Sequence, residues 1–129
     1  PKHHSALYPS GHSGDITSDG AVTAHLKAGV PPSKLVMGMP FYGRGGDGYP
    51  SFQDYNKVGN TDTQYTEKWD EVAQVPYLAD KNDTLVFGFE NPRSLAIKCQ
   101  YILDKDLLGG MYWDYSGDNE QGRSDKPAR

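Results

Sequence analysis

An indole between phenols and beside a carboxylate is the first place to look for chemistry in this 129-residue sequence. It stands in GGMYWDYSGD, residues 109–118, where Tyr112, Trp113, Asp114 and Tyr115 follow two glycines and a methionine. An aromatic face prefers C–H groups to water, while phenol and indole keep a polar tip, so such a run suits a ligand with flat apolar faces and polar edges. A second pair, Tyr42 and Arg44 of PFYGR, closes an apolar run at 35–43. A phenol hydroxyl and a guanidinium fork both hydrogen-bond hydroxyls and amide carbonyls. Each also has a plainer reading: Trp113 as a core residue, Tyr42 as a strand-end tyrosine, Arg44 as a surface cation.

Other groups carry less. In DYSGDNE, Asp114, Ser116, Asp118 and Glu120 alternate like the start of a calcium loop, but the glycine and the distal bidentate glutamate are not at the required offsets, so no metal is expected. His3, His4 and His12 have no acidic or cysteine partner at helical spacing and read as a polar loop rather than zinc ligands. Glu90 is either a cleft acid or a solvated one. Trp69 lines a cleft wall or, preferably, fills a small core; Met39 and Met111 read as core. Cys99 is the only cysteine, so no internal disulfide is possible, and it falls on an apolar helical stripe as a buried thiol.

No G-x-S-x-G, P-loop or G-x-G-x-x-G occurs, and GRGGDG is not followed by a capped helix, so hydrolase-elbow and nucleotide chemistry drop out and no cofactor is expected. A net charge of -4 without a basic stripe argues against nucleic acid. No apolar stretch is long enough to cross a membrane. Hydrophobic residues make up 36% and mean hydropathy is -0.73, yet aromatics reach 12%, with nine tyrosines and two tryptophans. Few aliphatics and many amphipathic rings fit a carbohydrate-facing surface, and equally fit tyrosines packing a small domain.

The elements that must hold these groups follow from pattern. Residues 1–17 have no period and read as a loop. SDGAVTAHLKAG is a helix capped by Thr17 or Ser18, with Ala21, Val22, Leu26 and Ala28 apolar and Gly29 terminating it. After VPPSK, the continuous apolar run LVMGMPFYG predicts a strand buried on both faces, as in a parallel sheet. Residues 44–90 are an excursion too long for a plain connection and are expected to form an inserted α+β subdomain. Within it TEKWDEVAQV is a short helix or a hairpin arm, and TLVFGF at 84–89 is a strand. NPRSLAIKCQYILDKDLLGG is a helix with Asn91 as N-cap, Pro92 at its first position, and Leu95, Cys99, Ile102 and Leu103 on one face. MYWDY follows as a second buried strand, and 120–129 is a polar tail. Two principal parallel strands do not make a sheet that covers itself. The chain is therefore expected to be part of something larger or to self-associate through open strand edges.

KLVMGMPFYGR, then VPYLAD, then FENPRSLAIKCQYILDKDLLGGMYWDYSGDN resembles the C-terminal third of a family-18 glycoside hydrolase, a chitinase, and HHSALYPS and AVTAHLKAGVPPS stand in the same order. The resemblance implies a partial (β/α)8 barrel. Segment 1–43 would carry a loop, a helix and the seventh strand, 44–90 the inserted subdomain, and 91–119 a helix and the eighth strand. It implies a parent enzyme, secreted or in the cell envelope, that hydrolyses chitin, a β-1,4-linked N-acetylglucosamine polymer. In that chemistry the substrate acetamide oxygen attacks the anomeric carbon while a glutamic acid protonates the leaving oxygen. Trp113 would be the floor on which a sugar ring stacks, and Tyr42 and Arg44 would touch it from neighbouring strand ends. The acid motif of the family, D-x-x-D-x-D-x-E, does not occur in these residues, so no catalytic residue is carried over and the chain alone is expected to be inactive. A non-catalytic chitin-binding module of the chitinase-like lectin kind is the alternative.

Overall fold

The computed structural model describes residues 2–14, 16–40, 42–45, 53–54 and 65–113. Its first regular element, α1 (Ser18–Lys27), starts where Thr17 Oγ1 accepts from the Gly20 amide, and it ends at Ala28 followed by Gly29 in the left-handed region at φ 95°. A single turn at Pro32–Lys34 leads into β1 (Val36–Pro40). β1 pairs in parallel with β7 (Gly109–Trp113), in a register that sets Pro40 against Trp113.

The strand expected over 35–43 does not continue. Pro40 offers no N–H to prolong the parallel ladder, and β2 (Tyr42–Gly45) belongs to a different sheet. That sheet has five antiparallel strands, in the order β3 (Gln53–Asp54), β2, β6 (Leu85–Gly88), β5 (Val75–Ala79), β4 (Thr66–Asp70). Gly43 lies against the Phe87 ring, and an added Cβ there would overlap that ring and approach the Gly88 carbonyl oxygen to 2.8 Å.

The excursion was expected to be α+β, but its described residues contain strands and turns and no helix. TEKWDEVAQV resolves as the β4–β5 hairpin. Asp70 Oδ1 accepts from the amides of Val72 and Ala73, at 3.0 and 2.9 Å, and Gln74 sits at φ 59°. Those bonds close a turn where a helix would have to run on.

The second helix, α2 (Pro92–Asp104), has a full capping box. Asn91 Oδ1 accepts from the Ser94 amide and Ser94 Oγ from the Asn91 amide, both at 2.9 Å. Its buried arc is Ser94, Leu95, Lys98, Tyr101 and Ile102. Cys99 is exposed, against the expectation of a buried thiol, and Leu103 is 69% exposed. Residue type alone placed these two on the stripe. The packed arc is instead centred on Lys98, whose ammonium is neutralised inside the protein by Glu90.

The main core lies between the helices and the parallel pair, where Leu7, Val22, Met37, Met39, Leu95, Tyr101, Ile102 and Leu107 pack together. Burial on both faces holds for neither parallel strand. β1 alternates, and from Gly110 to Trp113 β7 is exposed. Met111, expected in the core, is 52% exposed while Met39 is buried. Strand alternation accounts for the difference in β1, where Met37 and Met39 share the face turned to the helices.

Candidate functional site

The N-terminal loop is tied down by polar contacts over long sequence separations. His3 Nε2 lies 3.0 Å from Asp70 Oδ2, Ser10 Oγ donates to the same oxygen at 2.7 Å, and the Leu7 amide donates to the Ala73 carbonyl at 3.0 Å. The three histidines are thus not a free polar loop. His3 is buried, with its ring edge-on to His12 and Tyr77. Burial pushes the His3 imidazole below its ordinary pKa, and the Asp70 contact offsets only part of that. Burial pushes the Asp70 carboxyl up, but the bonds from Ala73, Ser10, His3 and Val72 outweigh it and hold the group down at about 2.

Further along, Lys98 Nζ donates to the Ser5 carbonyl at 2.6 Å, to Ser5 Oγ at 2.9 Å and to Glu90 Oε2. Glu90 is 1% exposed and Lys98 0%. Glu90 is therefore neither a cleft acid nor a solvated one. It is the buried counter-charge of a lysine that residue-type reasoning passed over. A lysine at the centre of an arc otherwise made by Leu95, Tyr101 and Ile102 was the available signal, because such a cation needs a buried partner.

These ties hold one side of a cavity of about 270 Å³. His4 and Ser5 of the loop line it, with Gly38, Met39 and Pro40 of β1, Tyr42 of β2, and Met111 and Trp113 of β7. Trp113 is 64% exposed. Pro40 and Trp113 are the last residues of β1 and β7, so the cavity opens at the C-terminal ends of the parallel strands. The ring centroids of His4 and Tyr42 are 5.4 Å apart. The Arg44 guanidinium lies 5.7 Å from the centre of the Tyr42 ring, outside the cavity lining. Two of the three candidate residues thus share one cavity and the third stacks on one of them. Burial, then the charges of Lys98, Arg44 and His3, push the His4 imidazole down to about 4, so it is neutral near pH 7. The arrangement can stack an apolar ring face on the indole, in a cavity whose lining also includes the hydroxyl-bearing residues Ser5 and Tyr42.

Trp69 lies outside this cavity. It is half-buried on β4 and covered by Arg93, whose guanidinium sits 4.0 Å from the ring centre. Among the described residues no cluster of histidine, cysteine or acidic side chains could hold a metal ion. Asp114, Ser116, Asp118 and Glu120 lie outside the described residues.

The family model for glycosyl hydrolases family 18 matches residues 1–118. The chain belongs to that family. It is 34% identical over 126 residues to chitinase A1 of Niallia circulans, covering 79% of this chain and 18% of that protein. It is 34% identical over 125 residues to an endochitinase of Manduca sexta, covering 73% of this chain and 22% of that one. Among solved structures, the cell-surface-expressed chitinase ChiW from Paenibacillus sp. str. FPU-7 superposes with a TM-score of 0.81 at 32% identity, over 95% of this chain and 16% of that chain. A family-18 chitinase from Cycas revoluta, a mutant solved in complex with (GlcNAc)4, gives a TM-score of 0.73 at 25% identity over 88% of this chain and 37% of that one. The chain thus spans about a fifth of the length of the two curated relatives.

Proposed function

We propose that this chain is the C-terminal barrel segment of a family-18 chitinase and supplies the sugar-binding floor of its cleft. One observation carries the reading: the Trp113 indole, 64% exposed, lines a cavity with Tyr42 at the C-terminal ends of two parallel strands. Active sites of (β/α)8 enzymes are built at that end. In this reading β1 and β7 are the seventh and eighth barrel strands, and residues 44–90, with their antiparallel sheet, are an inserted subdomain forming one wall. The ligand is chitin or an N-acetylglucosamine oligosaccharide. Trp113 stacks on a sugar face, and Tyr42 and Arg44 hydrogen-bond its polar edge. The complex of the Cycas revoluta relative with (GlcNAc)4 supports that ligand class.

The whole protein would hydrolyse β-1,4 links with retention, by attack of the substrate's own acetamide oxygen and proton donation from a glutamic acid. The D-x-x-D-x-D-x-E motif that carries this acid in the family is absent from these 129 residues. The chain alone therefore binds and does not cleave, and no metal or cofactor is invoked. The parent is placed outside the cell or in its envelope, in line with the cell-surface Paenibacillus relative. The parallel strands have no outer partners among the described residues, so the isolated chain self-associates.

Retention on chitin beads tests the binding. Wild type is held, and Trp113→Ala is lost to the wash with unchanged circular dichroism. Equal retention of both would remove the indole from the site. Release of fluorophore from a chitobioside conjugate by the pure chain would refute the division between binding and cleavage.

A further inference from the structure

Ser5 stands where two observations meet. It lines the cavity with Trp113 and Tyr42, and its hydroxyl is bonded by a fully buried cation. An ammonium only donates, so the three N–H bonds of Lys98 are spent on the Ser5 carbonyl, Ser5 Oγ and Glu90 Oε2. Ser5 Oγ is the acceptor in that contact, and no acceptor among the described residues takes its own proton. A hydroxyl that accepts from a cation in a low-dielectric surround is a stronger donor toward its next partner. The fold therefore presents, on a cavity-lining residue, a serine hydroxyl fixed in position, polarised, and with one donor bond that no acceptor among the described residues takes up.

The cost of the device supports a purpose beyond packing. Two charges are taken out of water, and Glu90 Oε1 is left without a partner. An apolar pair of similar volume would fill the space at least as well. It would also leave the Ser5 carbonyl unpaired and the hydroxyl free to turn.

We propose that Ser5 is a further ligand-contacting residue of this cavity, its hydroxyl donating to an oxygen of a saccharide unit stacked on Trp113, with the buried Lys98–Glu90 pair as the positioning device that aims it. This rests on the reading of the cavity as a sugar site. The acceptor is a sugar hydroxyl or an amide carbonyl, and the ligands of the test separate the two.

The 129-residue chain is titrated by ligand-observed NMR with chitotetraose and with cellotetraose, which lacks the acetamide. Ser5→Ala weakens chitotetraose binding roughly threefold to tenfold at unchanged melting temperature, the worth of one hydrogen bond, and Ser5→Thr restores most of it. A parallel loss with cellotetraose assigns a hydroxyl acceptor, and a loss confined to chitotetraose assigns the amide carbonyl. Lys98→Met with Glu90→Leu weakens binding by a similar factor, and adding Ser5→Ala to that background changes nothing further. Where the double variant does not fold, Glu90→Gln stands in, with the same loss expected.

Ser5→Ala binding as tightly as wild type overturns the contact. A full Ser5→Ala effect in the Lys98→Met/Glu90→Leu background, or in Glu90→Gln where that stands in, overturns the positioning role. Trp113→Ala binding as wild type would sink the stacking reading while leaving the Ser5 result standing. A wild-type chain that binds neither sugar overturns both.

Discussion

His4 makes the molecule acid-sensitive. Its ring nitrogens are buried without partners, and its folded pKa of about 4 lies well below the ordinary 6.5, first because of burial and then because of the charges of Lys98, Arg44 and His3. The unfolded chain therefore takes up a proton that the native state refuses. Stability is full above pH 6.5 and is lost as pH falls toward 4, by roughly 3 kcal/mol for this group alone. His3, also pushed down by burial, loses stability in the same direction. Asp70 acts lower. Its carboxylate, held at about 2 against 3.8, gives stability present above pH 3.8 and lost toward 2, on the order of 2 kcal/mol. Urea unfolding at pH 7, 5.5 and 4.5 checks this: the midpoint falls with pH in wild type and falls less in His4→Phe. An equal fall in both would clear His4 of the effect. Of the residues that build the cavity, Trp113 and Tyr42 were legible because an aromatic beside a turn signal stands out in a sequence. His4 and Ser5 were not legible, because a loop has no period and Lys98, which bonds Ser5, lies 93 residues away. Glu90 was misread for a different reason: its partner Lys98 is only 8 residues on, in the apolar arc of α2, and that signal was passed over.

At the scale of elements, caps and close approaches decide. Asn91→Ala removes one half of the capping box of α2 and should cost about 1 kcal/mol. Gly43→Ala drives a methyl into Phe87 and should cost about 1–3 kcal/mol through overpacking, in a strand one residue beyond the end of β1. Thermal unfolding of both variants checks the pair, and Gly43→Ala as stable as wild type would mean that the Phe87 ring can move aside. The helices were readable because their signals are local: Thr17 and Asn91 at the starts, Gly29 after the first, Pro92 at the first position of the second. The parallel pairing was readable from the apolar run at 35–40. The break after Pro40 was not, since residues 35–43 are apolar throughout and nothing in them records that Tyr42 and Gly43 pair with β3, or that Arg44 and Gly45 beyond them pair with β6. The β4–β5 hairpin lay between two readings because the Asp70 side chain, not a glycine or proline, makes its turn.

The molecule as a whole presents an uneven surface. Val36, Leu103, Leu108, Met111, Tyr112 and Trp113, all on or beside the parallel pair and α2, are at least half exposed. Apolar residues so grouped associate in water. Light scattering of the isolated chain should give dimers or larger species, reduced by Leu103→Lys with Leu108→Lys. A monomer at every concentration would argue against association through this face. The antiparallel sheet is better covered, with every residue of β5 buried. The contacts that finish the cavity have a consequence in time. His3 with Asp70, Leu7 with Ala73 and Ser5 with Lys98 join segments separated by 60 residues or more, and closing such long loops is slow compared with forming a local hairpin or helix turn. During refolding the hairpin and α2 should therefore form before the N-terminal segment docks onto them, which makes the recess beside Trp113 a late feature to appear.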